Sequence, residues 1–321
     1  VGKVTAEWMM NGHINEDIFS YDIKRFQKFH SEIKFIKERV TETLGDLYGM
    51  HWPFKQHQTA RNIKIFPHHE ILKKNGACFG VSGGYERPMW FSMDNQEPKY
   101  NYSYRYQNWY PSVEFETKNC RKNVGLFDLT PFSKFELKGD KAFEELQRIC
   151  TANIKNDPGK CVYTQMLNND GGIEADVTIV CLERNYFRII SSAATRERDK
   201  FHINKNLTTN IELTDVTDKY CVFGLFGPKS RELISSISKE DFSNKNFKFA
   251  TGKKIKINNV ETWVQRLSYV GELGYEIYVE FDKAVEIYSL LINEGKKYNI
   301  SNCGMHSLDI MRMENGFLHW G

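Results

Sequence analysis

CVYTQML (161–167), NNDGG (168–172) and IEADVTIVCLE (173–183) follow one another without a break. Two runs rich in β-branched and apolar residues flank a turn of Asn169, Asp170, Gly171 and Gly172. Asp-Gly and Gly-Gly pairs supply the positive φ that tight hairpin turns need, so the stretch reads as a β-hairpin. A two-residue loop at Asp170–Gly171 sets Asn169 opposite Gly172 and, counting outward, Gln165 opposite Asp176. Side chains alternate along a strand, so Tyr163 shares a face with Gln165. Tyr163 and Asp176 then become diagonal cross-strand neighbours, roughly 7–8 Å apart at Cα. The strand carrying Asp176 is otherwise apolar (Val177, Ile179, Val180, Cys181). An acid there is costly unless it has partners or a task. Spacing alone leaves both a paired structural Asp and a functional one open.

Working outward, Phe135 and Leu137 alternate with Glu136 and Lys138 in a strand that ends at Gly139. Asp140 is placed to cap KAFEELQRIC (141–150), whose Phe143, Leu146, Ile149 and Cys150 share one helical face. After the hairpin, NYFRIISSAA (185–194) reads as a strand and Thr195–Lys205 as a charged helix. KYCVFGLFGPKSRELISSI (219–237) reads as a strand, a Gly-Pro turn and a helix with Pro228 near its first turn. Residues 254–280 read as a hairpin. Asp282 is placed to cap KAVEIYSLLINEG (283–295), which Gly295 ends. A last helix falls at 304–318. Strands and helices mix without strict βαβ alternation, which makes the fold class α+β.

The first third is less regular. KVTAEWMMN is a short helix between Gly2 and Gly12. A glycine before a helix can hold a phosphate on free backbone N–H groups. Ser31 is placed as the N-cap of SEIKFIKERVTETLG (31–45), with Ile33, Ile36, Val40 and Leu44 as one apolar stripe and Gly45 at its end. Residues 46–95 read as irregular. His51, His57, His68 and His69 fall here without zinc-type spacing, and His68 and His69 would point apart on a strand, so no metal is expected. The Tyr- and Asn-rich run 94–112 marks a domain boundary, followed by a helix from Val113 to Asn123.

The bulk numbers exclude several classes. A chain of 321 residues suggests about two domains. The net charge of +3, from 44 basic and 41 acidic residues, forms no concentrated basic stripe, so nucleic acid is not an expected partner. No stretch approaches the roughly 20 apolar residues of a membrane span. Seven cysteines without a C-x-x-C imply reduced thiols and a cytoplasmic protein. Aromatics at 14% fit dense ring packing or a ring-lined pocket for a flat ligand. G-x-G-x-x-G, G-x-x-x-x-G-K-[ST] and H-E-x-x-H are all missing, so a complete dinucleotide site cannot be assembled. The opening on Val1 and the close on Gly321 read as a fragment of a longer polypeptide.

Several segments together carry a resemblance. VGLFDLTPFSKFELKG (124–139), CVYTQMLNNDGGIEADVTIV (161–180), LSYVGELGYEIYVE (267–280) and MRMENGFLHWG (311–321) resemble the folate-binding domain of the glycine cleavage T-protein, an aminomethyltransferase. GKVTAEWMMNG (2–12), DIKRF (22–26), YGMHWP (48–53), ACFG (77–80) and YERPMWF (85–91) resemble the last FAD-contacting helix and the connecting domain of dimethylglycine and sarcosine dehydrogenases. The resemblance implies three parts: a flavin-domain remnant at 1–45, a connecting domain at 46–95 and a T-protein-like domain at 96–321, whose second barrel would follow Gly321. It implies FAD-dependent oxidation of an N-methylated glycine, with capture of the one-carbon unit by tetrahydrofolate as methylene-tetrahydrofolate.

Carried over residue by residue, Asp176 matches the family's catalytic aspartate and Tyr163 a folate-contacting tyrosine. Tyr269 and Glu276 match the Tyr and Glu of Y-x-G-E-x-G-x-E, in which the Glu accepts hydrogen bonds from the pterin. Glu272 is expected to be structural, Gly271 and Gly274 to shape the turn, and Gly2 to contact flavin phosphate. Leu308 stands before Asp309, where the T-protein often has an Arg for the folate carboxylates; Arg312 is expected to be structural. The alternatives are a tetrahydrofolate-dependent transferase working with separate partners and a non-catalytic folate-binding scaffold. The amine and the oligomeric state are not fixed by the sequence.

Overall fold

The structure is a computed structural model that describes residues 1–320 apart from 13, 15, 17, 19, 20, 94 and 95. Helix α1 (Gly2–Asn11) ends at Gly12, whose φ of 73° closes it in the left-handed form, and it buries no side chain. Helix α2 (Ile33–Asp46) starts after Glu32, not at a Ser31 cap; the Ser31 hydroxyl donates to the Lys28 carbonyl instead. The helix also runs past Gly45. Its apolar stripe is the outward face, with Ile33 70% and Leu44 58% exposed. The inward face is Phe35, Arg39 and Glu42. Phe35 packs on Phe29 with ring centroids 5.2 Å apart, Arg39 donates to the Thr59 carbonyl at 2.6 Å, and Glu42 accepts from the Thr59 N–H at 2.8 Å. Hydrogen bonding to the 58–60 backbone fixes which face turns inward, and hydrophobic periodicity carries no signal for that.

Residues 66–91 are regular, contrary to expectation. They form α3 (His69–Lys74) and an antiparallel hairpin of β1 (Ala77–Ser82) and β2 (Tyr85–Phe91) turned on Gly83 and Gly84, φ 58° and 84°. His68 and His69 therefore sit at a helix start and not on a strand. Next come α4 (Tyr110–Lys122), β3 (Val124–Asp128), β4 (Ser133–Lys138), α5 (Ala142–Ile149), β5 (Cys161–Leu167), β6 (Ile173–Glu183), β7 (Tyr186–Ser191) and α6 (Arg196–Asn206). The chain continues through β8 (Leu213–Asp215), β9 (Tyr220–Phe226), α7 (Ser230–Ile237), β10 (Gly252–Ile257), β11 (Val260–Gln265), β12 (Gly274–Glu280), α8 (Ala284–Gly295), β13 (Ile300–Cys303) and α9 (Met305–Glu314). Neither Asp140 nor Asp282 caps its helix: α5 and α8 begin after Lys141 and Lys283 without a side-chain cap. The expected 254–280 hairpin is a three-stranded meander interrupted at 266–273.

Two sheets face each other. One has the order β10-β11-β12-β9-β3-β13 and the other β5-β6-β7-β4-β8. All pairings are antiparallel except β13 on β3. This is the α+β class expected. Strand period 2 sorts the side chains into three layers. Ala175, Val177, Ile179 and Cys181 of β6 turn outward into a core shared with α5 and α6. Cys221, Phe223 and Leu225 of β9, with Tyr275, Ile277 and Val279 of β12, turn the other way into a core shared with α7, α8 and the β1–β2 hairpin. Between the sheets lie Cys161, Val180, Val222, Phe226, Trp263 and Tyr278.

The hairpin is bound tightly to the larger sheet. Glu116 of α4, buried, accepts from the N–H of Phe91 at 2.7 Å and of Gly304 at 2.8 Å, and from the Ser307 hydroxyl at 2.8 Å. A Cβ at Gly304 would lie 2.2 Å from the Met89 carbonyl, so only glycine lets β2 approach the start of α9.

Candidate functional site between the two sheets

The interlayer changes character along its length. At one end it is apolar; at the other it carries the polar side chains of the sequence reading. On β5 and β6 the same alternation that buries Cys161 and Val180 between the sheets brings Tyr163, Gln165 and Asp176 onto that face. Gln165 pairs with Asp176 and Tyr163 with Thr178, the register read from the sequence. The turn reaches that register by another route. The Asn168 N–H donates to the Gly172 carbonyl at 2.8 Å across a three-residue loop, the Gly172 N–H donates back to Asn168 Oδ1 at 2.8 Å, and Gly171 alone in the loop takes positive φ, at 82°. A bulge beside Leu167 then shifts the count back by one.

The Tyr163 hydroxyl donates to Asp176 Oδ2 at 2.7 Å. Among the described residues Asp176 Oδ1 has no partner. Desolvation and the bond to the Asp176 carboxylate push the Tyr163 phenol up to about 12, although its ring is 58% exposed, so the neighbouring charge is the firmer of the two causes. Tyr269 lies in the 266–273 break. Burial raises its phenol, the Arg312 guanidinium opposes, and the carboxylates of Asp176 and Asp309 add to the rise. Its hydroxyl donates to the Leu318 carbonyl and its ring stacks on Phe317 at 6.1 Å. The tail 317–320 thus runs past the site, ending with Trp320 under the Arg198 guanidinium at 4.0 Å.

The other sheet supplies a second carboxylate. Glu276 and Tyr278 of β12 lie on the interlayer face, with Trp263 and Gln265 of β11 beside them. Glu276 Oε2 accepts from Gln265 Nε2 at 2.7 Å and from the Tyr278 hydroxyl at 3.1 Å. Burial raises the Glu276 carboxyl against the pull of these two donors. The structure therefore brings Tyr163, Asp176 and Tyr269 together and sets Glu276 in the same interlayer. Gln265, Tyr278 and the 317–320 tail were not foreseen. A glutamine at the end of an apolar strand carries the same signal as Asp176, a polar group placed to face a core.

The remaining residues take the places their chemistry dictates. Glu272 accepts from Arg121 Nη1 at 3.2 Å, and Arg312 donates to Asp309 at 2.6 Å and to the Phe317 carbonyl at 3.1 Å. Both side chains are thus engaged in contacts within the fold. Leu308 is buried in the interlayer core. Gly271 has φ 75°, and a Cβ there would lie 2.2 Å from the Asn315 amide; a Cβ at Gly274 would lie 2.4 Å from the Phe226 ring. Gly2 opens α1 with nothing within 4 Å of where its Cβ would be. Glu42, Asp46 and His57 bring possible ligand atoms within 4.8 Å of one another, but Lys55 and the backbone N–H groups of Gln58 and Thr59 already engage the carboxylates.

The family model of the GCVT N-terminal domain matches residues 68–321. The chain belongs to this family. A second model, the FAD dependent oxidoreductase central domain, matches residues 11–65 of the same GCVT-family chain. Among curated relatives, 4-methylaminobutanoate oxidase (formaldehyde-forming) from Paenarthrobacter nicotinovorans is 38% identical over 322 residues, covering 100% of this chain and 39% of its own. The pyruvate dehydrogenase phosphatase regulatory subunit of Mus musculus is 31% identical, covering 100% and 37%. Dimethylglycine dehydrogenase of Rattus norvegicus is 28% identical, covering 100% and 38%. The chain thus spans under two-fifths of the length of these relatives. The glycine cleavage system aminomethyltransferase T of Bartonella henselae shares the fold, with TM-score 0.66 at 21% identity over 80% of this chain and 64% of that one. No helix among the described residues is long and apolar enough to cross a membrane.

Proposed function

We propose that the interlayer site binds tetrahydrofolate and receives the one-carbon unit of an N-methyl amine oxidised by an FAD-dependent activity of the same polypeptide. One observation carries the reading: each of the two facing sheets presents a carboxylate with one oxygen tied down and the other without a partner among the described residues, Asp176 from β6 and Glu276 from β12. That donor set suits the fused ring of a reduced folate, whose N–H edge needs acceptors and whose reacting nitrogen must lose a proton. Glu276 Oε1 accepts from the pterin edge. Tyr163 and Tyr269 line the path of the ring, and Tyr163 holds Asp176 Oδ2 in place. Asp176 Oδ1 takes the proton as the nitrogen bonds to the iminium carbon; the demethylated amine then leaves with that proton and the second folate nitrogen, losing its own proton to water, closes on the same carbon, yielding methylene-tetrahydrofolate in place of free formaldehyde. Tetrahydrofolate supplies the nucleophilic nitrogen.

FAD would supply the oxidation, with Gly2 as a phosphate contact; no other described residue is assigned to the flavin. The division at 45 and 95 into flavin-domain tail, connecting segment and folate domain belongs to the same reading, as does an N-methylated glycine as amine. Seven free, buried thiols support a reducing, cytoplasmic setting.

The test uses the polypeptide as its gene encodes it, oxidising dimethylglycine or sarcosine with tetrahydrofolate present. Asp176→Ala is expected to leave amine oxidation within about twofold and to divert most product to formaldehyde, since a general base is worth roughly 100-fold or more. Equal loss of oxidation and transfer would place Asp176 outside the transfer step.

A further inference from the structure

Gln265 is fully buried at the end of β11, where an apolar side chain would cost less. It is the direct cross-strand partner of Glu276, so the two side chains share the interlayer face. Every polar atom of its amide is used. Nε2 donates to Glu276 Oε2 at 2.7 Å and to the Tyr278 hydroxyl at 3.2 Å, and Oε1 accepts from Trp263 Nε1 at 3.3 Å. The last bond settles the direction of the amide. An indole N–H only donates, so the Gln265 oxygen must face Trp263 and its NH₂ must face the carboxylate. The Tyr278 hydroxyl closes the ring by donating to the same Glu276 oxygen at 3.1 Å. Both donors converge on Oε2, and Oε1 is left without a partner among the described residues.

We infer that Gln265 is a positioning residue for ligand recognition: Trp263 orients its amide, the amide and Tyr278 hold Glu276 Oε2, and Glu276 Oε1 is thereby presented to an N–H donor of the ligand. This rests on the folate reading and extends it to residues that do not touch the ligand. The same arrangement makes recognition depend on pH. Glu276 Oε1 accepts most strongly when the carboxyl is ionised, and a proton on it would make it a donor; burial raises the carboxyl and the Gln265 N–H lowers it. The other titratable groups around it are Tyr278 on its own strand, the Cys161 thiol on β5 and Arg188 of β7, whose guanidinium lies 5.3 Å from the Tyr278 ring.

Calorimetric titration of tetrahydrofolate into the polypeptide as its gene encodes it, at several pH values, tests the inference on wild type, Gln265→Leu and the isosteric Gln265→Glu, with melting temperatures alongside. Wild type is expected to lose affinity as pH falls. Both variants should bind about tenfold more weakly at neutral pH, the scale of a hydrogen bond to a charged group, and their midpoint of lost binding should move to higher pH. If Gln265→Leu does not fold, Gln265→Glu keeps the shape and carries the test. A variant that melts earlier but keeps the wild-type affinity and pH midpoint makes Gln265 merely structural and overturns the inference, leaving the folate reading in place. A wild type that binds no tetrahydrofolate overturns the folate reading and the inference with it.

Discussion

His306 shows how burial sets chemistry at a single residue. It sits near the start of α9, stacked on Trp109 at 5.7 Å with Phe54 edge-on at 4.6 Å, and its Nε2 meets the Tyr100 hydroxyl at 2.8 Å. Burial pulls it down to about 4, with Asp309 opposing and Arg87 adding to the fall. The unfolded chain therefore takes up the proton first, near the ordinary histidine value of about 6.5, and stability drains away as pH falls from there toward 4. The expected loss at pH 5 is about 2 kcal/mol. Urea unfolding at pH 7 and pH 5 measures it, and His306→Phe should flatten the difference. Residues of this kind were only partly legible. Tyr163 and Asp176 could be paired from the sequence because strand alternation is strict and the register was countable. Gln265, Tyr278 and His306 could not, since their roles depend on which strand or helix lies opposite, and that is set by contacts between segments distant in the chain.

Among the elements, α2 separates pattern from burial most sharply. Its periodic apolar residues are exposed, and its inward face mixes Phe35 with Arg39 and Glu42. Ile36→Lys and Val40→Glu should each change the stability of this chain by no more than about 0.5 kcal/mol, while Phe35→Ala should cost about 3 kcal/mol. Thermal melts of the three variants decide the matter, and reversed magnitudes would mean that the helix faces the other way. The hairpin makes the complementary point. Its register came out as counted although its loop did not, because the bulge beside Leu167 cancels the extra loop residue. Core-facing alternation constrains register more strongly than turn chemistry does. In the 46–95 stretch, prolines and glycines concealed a helix and a hairpin whose strands gain their order only by packing on the larger sheet.

At the scale of the whole molecule, buried polar contacts tie the segments around the larger sheet together: His68 to Asp128 of β3, and Glu116 of α4 to β2 and the start of α9. Burial pushes the Glu116 carboxyl up to about 7 against three donors from β2 and α9. Glu116→Ala strands those donors and should cost about 3 kcal/mol or more, read as a lowered urea midpoint. Gln in its place keeps an acceptor and should recover part of the loss. The α+β class was legible from the order of strand and helix patterns. The strand order was not, because it places β3 between β9 and β13 and sets residues 161–180 against residues 263–278, neighbours that no local pattern encodes.

That juxtaposition is the central claim, and hydrogen–deuterium exchange with and without tetrahydrofolate tests it most directly. Saturating ligand should slow exchange at once in residues 163–176 of the hairpin and in residues 265–276 of the other sheet, with α2 unchanged. Slowing in only one of the two segments, or in neither, would contradict a folate pocket walled by both sheets.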